Sequence, residues 1–355
     1  MDKFKVNLGK KPDFKMEAII CLYDRKWNQV RAVTRSEVKY GKSREFLENE
    51  FSRLALYRDT VIDEIEKSGF DFSFLDRFVQ PDVEKFPYLL RLYFFSGKNP
   101  DKVVSDEEVD ALIGDFVADW INETVEADGA EKITGIEELY RTLDNPLIAA
   151  EDRMLILDTF ANRKRLLSDL RAYFSIAVPV LENNFHIIRA EFEAYLKEYE
   201  KITDWRDFYD YYSIRFDKDV QQLDVTLSVL LFNKIRSMTT VGRGDYSSVG
   251  MRYNELKEWE RIALVSNGVL LEYMKALSDG TRLRMLSELR QRKMRVKDIA
   301  RELKLTAPTI SHHISILLRI GIITASMSHS ESGVCEYSVS ADRIDDICEL
   351  LSKLK

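Results

Sequence analysis

The sequence predicts a mainly α protein with small β elements: a large helical (α+β) N-terminal unit, residues 1–265, and a smaller C-terminal unit, residues 266–355. Two observations carry this reading. Between about Ser43 and Glu200 apolar residues recur at three- and four-residue spacing, the mark of helices with one buried face. Past residue 265 both the punctuation and the charge change, because the first part holds 39 Lys+Arg against 49 Asp+Glu and the rest holds 14 against 11. At 355 residues and 45% hydrophobic, the chain has apolar mass for about two packed domains.

The opening segment, residues 4–8 and then the apolar cluster 16–23, is interrupted by Gly9 and Pro12 and reads as one or two strands. Phe46, Phe51, Leu54, Tyr57, Val61 and Ile65, and later Leu155, Phe160, Leu166, Leu167 and Leu170, follow helical spacing. Gly69, Pro81, Pro87, Gly97, Pro100, Gly129, Gly135, Pro146 and Pro179 divide this region into helices of ordinary length. Residues 225–236 and 246–253 are richer in β-branched and aromatic types and flank a hairpin turn at 239–245. Between them and the helices, Trp205, Phe208, Tyr209, Tyr212 and Phe216 make one aromatic face. Such a face serves either as core or as a pocket wall, and Trp205, Tyr209 and Tyr212 are the candidate ligand-binding residues.

Several function classes are unsupported. The longest apolar runs, residues 18–23 and 225–232, fall far short of the roughly 20 residues that cross a bilayer, so no membrane partner is expected. Residues 1–9 contain no continuous apolar segment of a secretory signal, and Cys21, Cys335 and Cys348 lack paired spacing, which suits a reducing, cytoplasmic setting. The glycines of 242–250 have neither phosphate-loop spacing, and His186 has no neighbouring ligand. With no Gly-x-Ser-x-Gly elbow and no His-Glu-x-x-His, the expectation is no catalytic residue, no cofactor and no metal.

The C-terminal unit is legible helix by helix. Residues 268–277 form a helix, and Asp279 caps the next, 281–290, with Leu283, Leu286 and Leu289 at three-residue steps. A third helix buries Val296, Ile299, Ala300 and Leu303 and leaves Arg295, Lys297 and Arg301 outside. Residues 304–306 make a tight turn, Thr306 caps, Pro308 sits in the first turn of a fourth helix, and Gly321 ends it. Two helices joined by so short a turn are a helix-turn-helix. Stepping about 100° per residue, Ile310, Ile314, Leu317 and Leu318 face the core. Thr309, His312, Ser315, Ile316 and Arg319 then face outward, with Ser311 and His313 at the two boundaries. Hydroxyls, imidazoles and an arginine on one face suit a DNA major groove. Residues 322–327 and 334–339 read as strands joined by a wing hairpin at 328–333, and 342–354 as a closing helix bearing Ile344, Ile347, Leu350 and Leu351. Residues 266–319 hold 11 basic and 5 acidic side chains, a local field suited to phosphate although the whole chain is −7.

Together MKALSDGTRLRML (274–286), VKDIARELKL (296–305), PTISHHI (308–314) and LLRIGII (317–323) resemble the winged-helix core of ArsR-type bacterial transcriptional regulators, over residues 267–354. Gly280 stands where that family usually has proline. The resemblance implies a homodimer that reads a near-palindromic operator in double-stranded DNA, usually as a repressor relieved by an effector. Metal-sensing members carry Cys-x-Cys before the recognition helix, where this chain has Arg295, Val296 and Lys297. Others place Asp and His on the last helix, which here lacks histidine, and His329 with Cys335 would supply two ligands without further partners. The expected signal is therefore a small molecule or peptide received by the N-terminal unit. The candidate DNA-binding residues are Arg295, Lys297, Arg301, Thr306, Thr309, Ser311, His312, His313, Ser315 and Arg319. Leu270, Leu271, Met274 and Leu277, with the apolar stripe of the closing helix, are the expected two-fold interface. The competing reading is a winged helix that binds protein and has lost DNA binding, against which the basic block argues.

Overall fold

A computed structural model describes residues 4–79, 87–125, 133–212, 214–216, 220–240, 244–266, 269–327, 335–340, 343–344 and 347–348. Strand β1 (Lys5–Leu8) leads through Gly9 and Pro12 into helix Phe14–Trp27, where the Asp13 carboxylate caps the Met16 N–H at 3.2 Å. The apolar cluster 16–23 is thus helical, and the expectation of a strand fails there. Met16 through Asp24 are all buried, so this helix runs through the core and shows no one-sided period to read. The described residues that follow are helices and their connections as far as Tyr211. Among the described residues the longest, Arg163–Asn184, continues through Pro179 where a break was expected. Leu170, Tyr173, Phe174, Ala177 and Leu181 bury it on both sides of the proline, and that packing outweighs the roughly 3 kcal/mol cost of proline in a helix. Pro81 and Gly129 lie outside the described residues.

After the helices come β2 (Ile214–Phe216), β3 (Gln222–Ser228), β4 (Ile235–Thr240) and β5 (Gly244–Gly250). One sheet has the order β1-β3-β5-β4, with β3 parallel to β1 and β5, and β4 antiparallel to β5. The expected hairpin closes with Thr240 opposite Gly244. The expected strand 225–236 does not form as one piece, because β3 stops at Ser228 and the chain turns through 229–234. Glu17, fully buried on the first helix, accepts the N–H groups of Val229 and Leu230 at 2.8 Å each, taking donors that a strand would have given to a neighbour. Gly250 faces this turn so closely that a Cβ would lie 2.3 Å from the Phe232 carbonyl carbon. Beyond it helix Tyr253–Ser266 replaces the end of the expected strand 246–253.

Arg252, wholly buried, ties this junction to the helices through Glu50 at 2.6 Å, Glu255 at 2.7 Å and Glu191 at 3.6 Å, with its guanidinium 4.2 Å from the centre of the Phe51 ring. Among the described residues most buried apolar side chains fall into two clusters, one from Met16 to Leu256 and one from Tyr273 to Ile347. The second is enclosed by helices Val269–Leu277, Gly280–Gln291, Val296–Leu303 and Ala307–Arg319 and by strands β6 (Ile323–Met327) and β7 (Cys335–Val339), which pair antiparallel. β2 pairs parallel with β6, placing Ile214 opposite Ala325 and Phe216 opposite Met327. A strand from the N-terminal part therefore extends the wing sheet. Among the described residues no helix is long and apolar enough to cross a membrane.

Candidate nucleic-acid interface

Capping chemistry sets the geometry of the helix pair. Asp279 accepts the N–H groups of Thr281 and Arg282 at 2.9 Å each, which starts helix Gly280–Gln291 and holds the carboxyl below its usual range. This start turns Met285 and Leu289 into the core and leaves Leu283 50% exposed. The expected stripe Leu283, Leu286, Leu289 is corrected accordingly, since three-residue steps drift off a 3.6-residue face within two turns.

Helix Val296–Leu303 buries Ile299 and Ala300 with Val296 and Leu303 packed beside them, as the spacing predicted. It ends at Lys304, whose left-handed backbone (φ 55°) lets its N–H return to Ala300 and Arg301. Leu305 donates to the Ala300 carbonyl at 2.9 Å, and Thr306 then caps Thr309. Helix Ala307–Arg319 buries Ile310, Ile314 and Leu317. Its opposite face exposes Thr309, Ser311, His312, Ser315 and Arg319. Gly321 follows at φ 73°, a conformation glycine adopts without strain. The wing sheet is tied to the pair by Met294, whose N–H and carbonyl exchange hydrogen bonds with Tyr337 at 3.0 and 2.9 Å.

Not all candidate residues share that outward face. His313 is turned inward, its side chain 13% exposed with Nδ1 4.0 Å from Asp279. Thr306 and Thr309 share a hydroxyl hydrogen bond at 2.8 Å, and the Ser315 hydroxyl donates to the His312 carbonyl at 2.8 Å. Arg301 lies 2.6 Å from Asp298, on an exposed edge, and Arg295 3.8 Å from Glu336 of β7. Lys297 is half-buried beside the turn. Lys304, exposed at the turn itself, was read only as a turn residue; a cation at a helix C-cap was the signal that could have singled it out. Elsewhere, Trp205, Tyr209 and Tyr212 are brought together with Phe208, Phe216 and Tyr253 at ring separations of 4.8 to 6.0 Å, and Tyr209 is wholly buried. His329, Leu350 and Leu351 lie outside the described residues, as does most of the expected closing helix. Among the described residues no group of three or more His, Cys, Asp or Glu is placed to hold a metal ion.

The model of the family described as "Bacterial regulatory protein, arsR family" matches residues 279–325, from the Asp279 cap into β6. An uncharacterized HTH-type transcriptional regulator of Methanocaldococcus jannaschii is 39% identical over 84 residues, covering 91% of that protein and 23% of this chain. The chain belongs to the arsR family. Its membership rests on the C-terminal part, and the matched stretch contains both helices of the pair, the turn and the start of the first wing strand. No solved structure matches the chain. In this arsR-family regulator the matched stretch follows 278 residues that the family model does not match.

Proposed function

We propose that this arsR-family protein is a dimeric, sequence-specific repressor of transcription that binds a near-palindromic operator in double-stranded DNA. In this reading residues 266–355 are the reader, and residues 1–265 receive a non-metal signal, a small molecule or peptide, in the cytoplasm. One observation carries the DNA assignment: helix Ala307–Arg319 is held to the core by Ile310, Ile314 and Leu317 and offers Thr309, Ser311, His312, Ser315 and Arg319 to solvent. Donors, acceptors and a terminal cation on a rigid helix are what base edges and phosphates require. Lys297 and Arg301, on the preceding helix and beside the turn, suit the adjoining phosphates.

Two-fold assembly is supported by apolar surface next to the reader's core. Leu271 is 56% exposed and Met274 38%, while Tyr273 and Ala276 of the same helix are buried inward; Leu277, Ile344 and Ile347, also expected at the interface, pack into the reader's core instead. An outward apolar stripe on a helix whose inner face is already packed is the kind of surface a second copy covers. Selection of full-length protein on random duplex DNA, at low salt and without added small molecules, should return a motif with two inverted halves. A pool with no enriched sequence refutes the DNA reading. A single unrepeated half-site, bound by a protein that sediments as a monomer at micromolar concentration, refutes the dimer.

A further inference from the structure

Over the turn of the helix pair lies a cleft of about 480 Å³ with walls from both parts of the chain. One wall carries Lys297, Arg301, Lys304 and Pro308; the other is Pro146 and Leu147, between helices Ile136–Leu143 and Ala150–Ala161. Both walls are held by their own hydrogen bonds. Arg153 clamps the carbonyls of Asn145 and Ile148 at 2.8 and 3.0 Å, and the Asn145 side chain accepts the Leu147 N–H at 3.0 Å. The facing turn is fixed by the left-handed Lys304 and the Leu305–Ala300 hydrogen bond. Three cations line the space, no acidic residue does, and the remainder of the lining is mostly apolar. The size falls within the roughly 300–1,000 Å³ of small-ligand sites.

We propose that this cleft binds an amphiphilic monoanion, an apolar chain bearing one carboxylate. The head group pairs with Lys297, Arg301 and Lys304, and the chain lies against Pro146, Leu147 and Pro308. Arg301 and Lys297 are also the phosphate contacts of the function proposed above, so the regulatory consequence rests on that reading: a bound carboxylate neutralises them and lowers DNA affinity. The binding itself rests on the cleft alone.

Octanoate titrated calorimetrically into the full-length protein tests the proposal, with 1-octanol and inorganic phosphate as the neutral and the chainless controls. Octanoate is expected to fill one site per chain and to bind about tenfold or more tighter than either control. Leu147→Ser, at an exposed position away from the recognition face, should weaken octanoate about tenfold, the scale of one partly buried leucine, with melting temperature and octanoate-free DNA affinity unchanged. Lys304→Gln should weaken octanoate as well and leave octanol unaffected. Octanoate at a concentration equal to the parent's Kd should reduce affinity for the selected duplex in the parent and far less in Leu147→Ser. The proposal is overturned if octanoate shows no binding up to about 5 mM, if octanol or phosphate binds equally well, or if both variants bind octanoate like the parent. Octanoate binding retained in a protein that binds no duplex would remove the DNA reading and leave the cleft; duplex binding without octanoate binding removes the cleft alone.

Discussion

Replacing Glu17 with glutamine removes a charge and keeps the shape. Glu17 is wholly buried, and its two carboxylate oxygens hold the turn after β3 through Val229 and Leu230. Burial raises its pKa from 4.5 to about 7, against the opposing pull of those donors and the Ser228 side chain. The folded value lies above the unfolded one, so between these limits the native state keeps a proton that the unfolded chain has released. Stability from this group is therefore full below pH 4.5, is lost as pH rises towards 7, and levels off above it. At about 1.4 kcal/mol per unit the loss amounts to roughly 3 kcal/mol. Glutamine cannot titrate, and its amide nitrogen must face one of the two backbone donors. Near pH 5 the variant should be less stable than the parent by about 1–3 kcal/mol, and by pH 8 the gap should close or reverse. Urea unfolding of both proteins across that range reads the difference, in which other titrating groups cancel. A difference that stays constant from pH 5 to 8 would refute the argument.

Three further outcomes follow from local geometry. Gly280 opens its helix without positive φ, and an added Cβ meets nothing within 4 Å, so Gly280→Ala should stabilise the reader by about 0.4–1 kcal/mol; a lower thermal midpoint would contradict this. Arg301→Ala and Arg319→Ala should each weaken binding to every duplex and flatten the slope of log K against log salt by about one, whereas Thr309→Ala and His312→Ala should change the preferred sequence at about 1–3 kcal/mol per lost base contact. The first pair altering preference with an unchanged salt slope would reverse the assignment. The buried Tyr209 hydroxyl, beside Ser247, completes no hydrogen bond of normal geometry, so Tyr209→Phe should hold or raise stability by up to about 1 kcal/mol; a lower midpoint would show that the hydroxyl has a partner.

The reader was legible because its signals are local. A carboxylate at Asp279, the short turn at 304–306, a threonine cap before Pro308 and Gly321 each mark a helix end within a few residues, and the structure uses every one. The outward face followed from helical period alone, since Ile310, Ile314 and Leu317 leave little freedom for the rest. What periodicity missed depended on long-range contacts. Nothing near residue 229 says that the strand stops there; the cause is a carboxylate 212 residues away. Helix Phe14–Trp27 was misread because complete burial erases the one-sided pattern, and Pro179 because packing on both sides supports a helix that local chemistry would break. His313 stood at the boundary of the outward face, and its inward turn towards Asp279 depends on a neighbouring helix that a wheel does not contain.

The two parts of the chain meet at places that matter for a winged helix. β2 adds to the free edge of β6, and residues 146–147 stand over the turn of the helix pair, so the N-terminal part touches both the wing sheet and that turn. β2 is three residues long and pairs in parallel, a mode slightly less stable per residue than the antiparallel one. With each net hydrogen bond contributing about 1 kcal/mol, the added strand is held by an energy of only a few kcal/mol. Differential binding of a ligand to two states can offset that amount, since about 5.5 kcal/mol carries a two-state equilibrium from one extreme to the other. The pairing of β6 with β7 and of Met294 with Tyr337 uses no bond to β2. On the proposed regulatory reading, a signal in the large N-terminal unit therefore need not unfold or reshape the reader. Releasing or seating one short edge strand and one loop changes where the wing and the turn stand relative to DNA, and a small domain with a closed core can be switched without being deformed.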